Sequence, residues 1–410
     1  MRKLLISWCR WKCSAVYGLR RLSLWQSATC PEYKAIENTC APFPEILPEE
    51  VTRVAHGVGF VVAYDPKQVW IASTIPSVCP DSRWGTRNKF KRLPLPEGTT
   101  VRELSAGREH LFVLTAKGEA LSFGSNVYGQ CGHSPSTEEA PVEVRMVTDL
   151  PPLKQIRAGF DHTLFLSADG RAFACGWSGD GQTGVGHYDN VHCPKPIANL
   201  GEVQSLYTCA DNSFALTVSG EVYAWGNNEY GQLGVASTSP QLHTAAKVDL
   251  STLAGRVVSV APGGAFTTFL TDAGSVYYCG YGLGPETSCM VKPVSLSRLR
   301  GMWNSSEGKI RALVASLYYA VATVDGTTWM LWGRFPGKRL VPSIYSYSPP
   351  HKASEQACCE FKPVHSRPVS VQFSLPGSSQ VACGATVITA LFDEAAPSQP
   401  LPSEAGGKMH

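Results

Sequence analysis

Three stretches of the chain repeat one glycine pattern about 50 residues apart. They span 106–132, 158–184 and 208–234, and each ends in a Gly-Gln-x-Gly loop: Gly129–Gly132, Gly181–Gly184 and Gly231–Gly234. An internal repeat of about this length is typical of solenoids, propellers and arrays. The repeat therefore constrains the fold before any other feature is considered.

A turn glycine sets the register of each copy. The matching positions are separated by 52, 50, 54 and 52 residues: Gly118, Gly170, Gly220, Gly274 and Gly326. A short apolar run precedes each turn glycine, and a second run that ends in glycine follows it, as in 222–226. Weaker copies at 56–63 and 383–391 flank these five. The chain therefore contains seven copies.

Each copy reads as a β-hairpin followed by a glycine-rich loop. Short apolar runs joined by a tight Gly-containing turn are hairpin signals, and no run shows the apolar spacing of a long helix. A single hairpin cannot bury its apolar faces, so consecutive copies must pack on one another. The sequence predicts an all-β fold, a seven-bladed β-propeller.

The motif Ala/Cys-Gly-x-x-His, followed by Trp/Cys-Gly and Gly-Gln-x-Gly, resembles the regulator-of-chromosome-condensation repeat. The resemblance covers roughly Val51 to Phe392 and is strongest between Gly107 and Gly284. It implies a propeller of that type, most like the exchange-factor-like branch of the family found in mitochondria. In such proteins, loops on one propeller face engage a GTPase, with acids and histidines near the channel. The positions that match here are Glu109, His110, Asp161, His162, Asp180 and Asp211.

Two interpretations of these residues stay open. His110 and His162 are expected to begin the innermost strand of their blades and to ring one mouth of the central channel. There they either hydrogen-bond to neighbouring blade turns or contact a partner. Asp180 lies in a Gly-rich loop, where it either caps its own turn or binds a partner.

Other motifs are expected to be structural. Gly179–Gly184 matches the dinucleotide fingerprint G-x-G-x-x-G by letter, but it is one copy of the repeated loop, so no cofactor is expected. Fourteen cysteines include no Cys-x-x-Cys pair, and Cys175 and Cys279 occupy the repeat position of Trp225. They are expected to be buried packing thiols, and no metal site is predicted. The sequence shows no nucleophile–base pair, so bond-making catalysis is not expected.

Composition divides the chain into segments. Residues 1–30 hold six basic residues, no acidic residue and three tryptophans, which is typical of a mitochondrial transit peptide; a disordered basic tail is the alternative. Residues 31–50 are predicted to be a linker, 51–394 the propeller with a long Pro-rich link at 334–376, and 395–410 a disordered tail. No apolar stretch approaches 18 residues, so no transmembrane helix is expected.

Without residues 1–30 the chain has 30 basic and 33 acidic residues, so direct DNA binding is not expected. We therefore expect a mitochondrial protein-binding propeller, in the matrix or peripherally associated with the inner membrane. By resemblance it would be a guanine-nucleotide exchange factor for a small or dynamin-like GTPase, with a role in mitoribosome assembly. The alternatives are a scaffold without exchange activity and a nuclear chromatin-associated exchange factor.

Overall fold

The computed structural model describes the greater part of the region expected to form the propeller, together with two short N-terminal pieces. The described residues are 2–5, 13–14, 51, 53–58, 60–73, 90–135, 143–281, 283, 290–295, 310–317, 319–323, 328–333, 356–357, 370–374, 378–383 and 388–393. They form strands, turns and loops. Within these ranges no helix has the length and apolarity needed to cross a membrane.

The described strands follow one another at short intervals. In chain order they are β1 (Arg2–Leu5), β2 (Cys13–Ser14), β3 (Arg53–His56), β4 (Phe60–Tyr64), β5 (Val69–Ser73), β6 (Lys91–Arg92), β7 (Val101–Ala106), β8 (His110–Thr115), β9 (Ala120–Gly124), β10 (Arg145–Met146), β11 (Leu153–Ala158), β12 (His162–Ser167), β13 (Ala172–Gly176), β14 (Val191–Pro196), β15 (Val203–Cys209), β16 (Asn212–Thr217), β17 (Val222–Asn227), β18 (Gln241–Lys247), β19 (Val257–Pro262), β20 (Phe266–Thr271), β21 (Val276–Gly280), β22 (Met290–Ser295), β23 (Ala312–Ala315), β24 (Tyr319–Thr323), β25 (Thr328–Gly333), β26 (Gln356–Ala357), β27 (Ser370–Ser374), β28 (Ser378–Cys383) and β29 (Ile388–Asp393).

These strands pair into antiparallel sheets that form a ring. Sheets one to five are β3–β6, β7–β10, β11–β14, β15–β18 and β19–β22; sheet six is β23-β24-β25-β27 and sheet seven is β28-β29-β1. The first strand of each sheet contacts the first strand of the next, and β28 contacts β3. The first strands therefore lie nearest a common axis. The predicted all-β propeller is confirmed: seven of the described sheets form the ring, and β2 and β26 form a separate two-stranded pair.

Four strands lie where the sequence predicted other structure; two of them, β2 and β26, pair with each other, Cys13 opposite Ala357. β1 pairs with β29, Arg2 opposite Asp393 and Leu5 opposite Ala390, so the strand that completes the last sheet comes from residues assigned to a transit peptide. β27 forms the outer strand of sheet six from within the link predicted over 334–376. β1 and β27 join by backbone hydrogen bonds, which require no glycine signature. The linker 31–50 and the tail 395–410 lie outside the described residues.

The second strand of each complete sheet is buried on both faces because a sheet packs against it on either side. In β12, Phe165 packs on Phe112 of the preceding sheet with ring centroids 5.3 Å apart, edge to face. The alternate residue Leu164 packs toward Trp225 of the following sheet. Burying one such side chain stabilises the fold by about 1.5–3 kcal/mol. The pattern of core residues therefore repeats along the chain, because each sheet packs against the sheet before it and the sheet after it.

The Gly-Gln-x-Gly loops are structural joints between sheets. Gly181 has φ of +81°, and a Cβ there would lie 2.5 Å from the Leu242 carbonyl oxygen of the next sheet. The segment continues into β14 rather than a helix, so the dinucleotide-like letters are a loop, as predicted. Only glycine tolerates this backbone conformation and approach at little cost.

The buried glutamine of each loop joins two sheets. The Gln182 carbonyl oxygen accepts hydrogen bonds from Ser213 Oγ at 2.8 Å and from Trp225 Nε1 at 2.9 Å, both in the next sheet. The corresponding donors in the neighbouring copies are thiols: Cys175 donates to Gln130 and Cys279 to Gln232. The prediction that these cysteines are buried at a packed position is confirmed, and each also donates a weak hydrogen bond.

Candidate protein-binding face

Two sets of loops meet at one end of the sheets. The first and third strands of a sheet run in the same direction, so the loops that follow them lie at the same end; His110, which opens the second strand, pairs with Gly124, which ends the third. We call this end the loop face. Its described loops in sheets two to four are 107–109, 125–134, 159–161, 177–190, 210–211 and 228–240.

The two candidate histidines lie below this face rather than on it. The prediction that they begin the innermost strand is wrong, because His110 and His162 begin the second strands β8 and β12 and are fully buried. His110 Nε2 lies 2.9 Å from Thr163 Oγ1, and His162 Nε2 lies 2.9 Å from Ser213 Oγ. Each histidine contacts a hydroxyl in the second strand of the neighbouring blade, not one of its turns.

The hydroxyl partners determine the protonation of these imidazoles. Thr163 Oγ1 donates its proton to the Gln130 carbonyl, and Ser213 Oγ donates to the Gln182 carbonyl. Each hydroxyl must therefore accept from the imidazole, which places the proton on Nε2 of His110 and of His162. Burial lowers the pKa of both histidines to about 3, with a smaller contribution from Arg108 at His110 and from His110 at His162. Both rings are neutral at physiological pH.

Asp161 is also a structural residue in this arrangement. It is 4% exposed and forms an ion pair with Arg108, whose guanidinium carbon lies 5.1 Å from the centroid of the Phe160 ring. Glu109, next to Arg108, is half-buried, and its backbone carbonyl accepts from Ser125 N at 2.8 Å. The negative charge of Asp161 is compensated locally by Arg108.

Asp180 and Asp211 form a pair of interacting carboxylates. Gln182 Nε2 donates to Asp211 Oδ1 at 3.0 Å, and Asn227 Nδ2 donates to Asp180 Oδ2 at 3.3 Å. Burial, and then the negative charge of Asp180, raises the pKa of Asp211 to about 6, while the Gln182 hydrogen bond and Arg108 oppose the shift. The Asp180 backbone N donates to Gln182 Oε1 at 3.0 Å, and the Asp180 carboxylate accepts from Asn227 rather than from its own turn. Its carboxylate reaches the adjacent blade.

Aromatic pairs flank this acidic pair, and the sequence reasoning did not identify them. Tyr128 approaches Trp177 of the next sheet with ring centroids 6.3 Å apart, and Tyr230 stacks on Tyr281 at 5.8 Å. Tyr128 and Tyr230 each precede a Gly-Gln loop, the position that Asp180 occupies in the copy between them. They are 36% and 40% exposed. Comparing this one position across the copies would have found the pattern.

The site therefore combines Asp211 with one register position that repeats over three sheets. Its occupants run aromatic, acidic, aromatic, and each contacts the following sheet. Within the described ranges, no group of three or more His, Cys, Asp or Glu residues is arranged to hold a metal ion. Rigid loops that present aromatic and charged side chains are suited to binding another protein.

Comparison with known proteins agrees with this architecture. Two models of the "Regulator of chromosome condensation (RCC1) repeat" match, one at residues 117–166 and 219–270 and the other at 101–130 and 153–182. The fold and its loops define an RCC1-type β-propeller, and the chain carries RCC1 repeats. The resemblance seen in the sequence is confirmed.

Individual proteins and solved structures show how far the similarity extends. The chain is 37% identical over 207 residues to the mouse "RCC1-like G exchanging factor-like protein", an alignment covering 47% of this chain and 44% of that protein. The chain thus spans less than half the length of that relative. The crystal structure of human WBSCR16 superposes with a TM-score of 0.72 at 25% identity, covering 90% of this chain and 95% of that one. Yeast Prp20p superposes with a TM-score of 0.62 over 89% and 87% of the two chains; at 18% identity it supports the fold alone.

Proposed function

We propose that the chain is a protein-binding propeller that acts as a guanine-nucleotide exchange factor for a mitochondrial GTPase of the small or dynamin-like kind. The observation that carries the proposal is the loop face, where Asp180 and Asp211 lie between two aromatic pairs, each with one exposed tyrosine, Tyr128 or Tyr230. The similarity to a protein named as an exchanging factor also supports the proposal of exchange activity. Prp20p, whose likeness supports the fold alone, has binding properties to Gsp1p and histones.

Exchange requires differential binding rather than a chemical step. A face that binds the nucleotide-free GTPase more tightly than the nucleotide-bound form lowers the barrier to GDP release. The aromatic rings of Tyr128 and Tyr230 would supply buried contact area, while Asp180 would attract a basic segment of the GTPase. Arg108 and Asp161 would hold the loops in position without contacting the partner.

The test is GDP release from candidate mitochondrial GTPases by the purified full-length chain. Tyr230→Ala should lower the catalysed release rate about tenfold, as expected when an aromatic anchor is truncated. Asp180→Asn should mainly lower the association rate and weaken its salt dependence. Val258→Ala is the matched control, because Val258 is 46% exposed on a first strand and far from the loops. Exchange that is unaffected by both loop-face variants would refute the proposed site.

The mitochondrial location and a role in mitoribosome assembly belong to the same proposal. The basic, aromatic composition of residues 1–30 supports import. Imaging fluorescent fusions of the full-length chain and of the chain without residues 1–30 tests the location, and co-sedimentation with mitoribosomal particles tests the assembly role. Nuclear retention of both fusions would favour a chromatin-associated factor instead.

A scaffold without exchange activity is the second candidate. The unequal blades favour it: the first copy lacks the Gly-Gln-x-Gly loop that holds Asp180 and Asp211 in sheets three and four. A scaffold would bind GTPases equally well with and without nucleotide. Equal capture of the two forms, with no acceleration of GDP release, would select this candidate.

A further inference from the structure

Cationic side chains follow one another around the opposite mouth of the ring. Each lies at or near the start of a first strand and donates to a backbone carbonyl of the next sheet. Arg53 Nη1 donates to Arg102 O at 3.1 Å, Arg102 Nη2 to Lys154 O at 3.2 Å, and Lys154 Nζ to Val203 O at 3.1 Å. The bonds run head to tail from sheet one to sheet four and fix the three positive charges along the axis side of the sheets.

Sheet six places a fourth cation at the register position of Arg102. Ala312 pairs with Thr323, the fifth residue of its second strand, as Glu103 pairs with Leu114, the fifth residue of β8. Arg311 therefore corresponds to Arg102, and it is exposed. We call Arg53, Arg102, Lys154 and Arg311 the cationic ring.

The charges of the cationic ring are not neutralised by described carboxylates. The ion pairs within the described part of the chain involve other cations, and Glu103, the acid beside the ring, pairs with Arg157 at 2.6 Å. Arg53 and Arg102 are exposed and Lys154 is half-buried. Arg102 and Lys154 each donate to one carbonyl, and Arg53 donates to a carbonyl and also hydrogen-bonds to the Tyr64 side chain. Further guanidinium and ammonium N–H groups remain for an anion.

The ring and the acidic residues of the loop face lie at opposite ends of the same strands. About four to five residues separate Arg102 from the loop after Ala106, which corresponds to about 15 Å of strand. The first strands line the axis, so the cationic ring lies at the mouth opposite to Asp180 and Asp211. A ligand of the ring would therefore bind at a different place from a ligand of the loop face.

We propose that the cationic ring binds an acidic peptide segment of a partner protein. The exposed carboxylates Glu97, Asp149 and Glu202 lie in the links that lead into the second, third and fourth first strands, and they border the ring. A nucleic acid backbone lying across this face would meet those carboxylates. A short run of Asp and Glu entering at the mouth would meet the ring first, and the bordering acids would restrict where it binds. The proposal does not depend on exchange activity.

The experiment measures binding of a fluorescein-labelled octaglutamate peptide to the full-length chain by anisotropy at low ionic strength. Arg102→Gln combined with Lys154→Gln removes two charges while keeping a polar side chain at each position. This variant should bind about tenfold more weakly, since each surface charge pair contributes up to about 1 kcal/mol. The matched control removes two exposed lysines of the second-to-third-strand turns, Lys67→Gln with Lys117→Gln, and should bind like the parent.

Three results would overturn the proposal. They are equal binding of the parent and the ring variant, binding of octaglutamine as tight as that of octaglutamate, and no octaglutamate binding at all. A single-stranded oligonucleotide that binds more tightly than octaglutamate, in a ring-dependent manner, would also overturn it and assign the ring to nucleic acid. Thermal unfolding of both double variants establishes that they fold, so weaker binding by the ring variant reports on the site.

Discussion

Replacing His162 with phenylalanine should make the fold less sensitive to acid. His162 is fully buried, and burial lowers its pKa from 6.5 to about 3. At pH values between these two, His162 is protonated in the unfolded chain and neutral in the folded protein. The stability that the neutral histidine contributes is therefore complete above pH 6.5 and is lost as the pH falls toward 3. From this one group, the free energy of unfolding at pH 5 should be about 2 kcal/mol lower than at pH 7.

Phenylalanine fits the position on evidence from the chain itself. Phe266 occupies the same place two sheets later and lies over Gly263 as His162 lies over Gly159. The substitution removes the Nε2 hydrogen bonds, but the protons of Ser213 and Thr208 remain donated to backbone carbonyls. The loss should therefore be about 1 kcal/mol at pH 7.

Together, these two free-energy changes predict that the order of stability of the parent and the variant reverses between pH 7 and pH 5. The variant should be about 1 kcal/mol less stable than the parent at pH 7 and about 1 kcal/mol more stable at pH 5. Urea unfolding at both pH values, followed by tryptophan fluorescence, measures the difference. His192→Phe is the control, because the side chain of His192 is exposed, and this variant should differ from the parent by the same free energy at pH 7 and at pH 5. If His162→Phe also differed from the parent by the same free energy at both pH values, the assignment of a buried neutral imidazole would be refuted.

Three further outcomes are expected. Gly181→Ala should lower the free energy of unfolding by about 2–4 kcal/mol, because Gly181 has a left-handed φ and a Cβ there would lie 2.5 Å from a backbone oxygen. Gly186→Ala is the control in the same urea assay: Gly186 has φ +103° and nothing within 4 Å of a Cβ, so its replacement should cost only about 1–2 kcal/mol, which comes from φ. Peptide mapping after brief alkylation should find exposed Cys193 modified in the native chain and Cys175 modified only after unfolding, because burial raises the pKa of the Cys175 thiol. Asp211→Asn should stabilise the fold more at pH 8 than at pH 4.5, because a carboxyl with a raised pKa destabilises the fold only at pH values where it is ionised. Thermal unfolding of the parent and the variant at both pH values measures the difference. A larger gain in stability at pH 4.5 would contradict the prediction.

Local backbone requirements made much of the fold predictable from the sequence. Gly118, Gly170 and Gly220 adopt φ between +80° and +87° in the hairpin turns, a conformation that favours glycine wherever the turn occurs. Their spacing therefore reported the repeat directly. The burial of the thiols at the position of Trp225 followed from the same register.

Contacts between sheets were the part that the sequence did not reveal. Asp161 and Asp180 look alike in the repeat, but Asp161 is buried against Arg108 and Asp180 reaches Asn227, partners 53 and 47 residues away. The histidines were placed on the innermost strand because the strand before them, β7 or β11, carries few apolar residues and was not recognised as the axial one. Which strand faces an axis depends on how sheets close into a ring, and no local pattern records that closure.

The N-terminus links the closure of the ring to the location of the protein. If residues 1–30 were removed on import, β1 would be lost, and β28 and β29 would form a two-stranded last sheet with the outer edge of β29 unpaired. An unpaired edge is a site for adding a strand from elsewhere, either from another part of the chain or from a partner. A retained N-terminus would instead close the ring with Arg2–Leu5 and leave no cleaved presequence. The two expectations cannot both hold for one molecule, so the N-terminal residue of the protein isolated from cells decides between them.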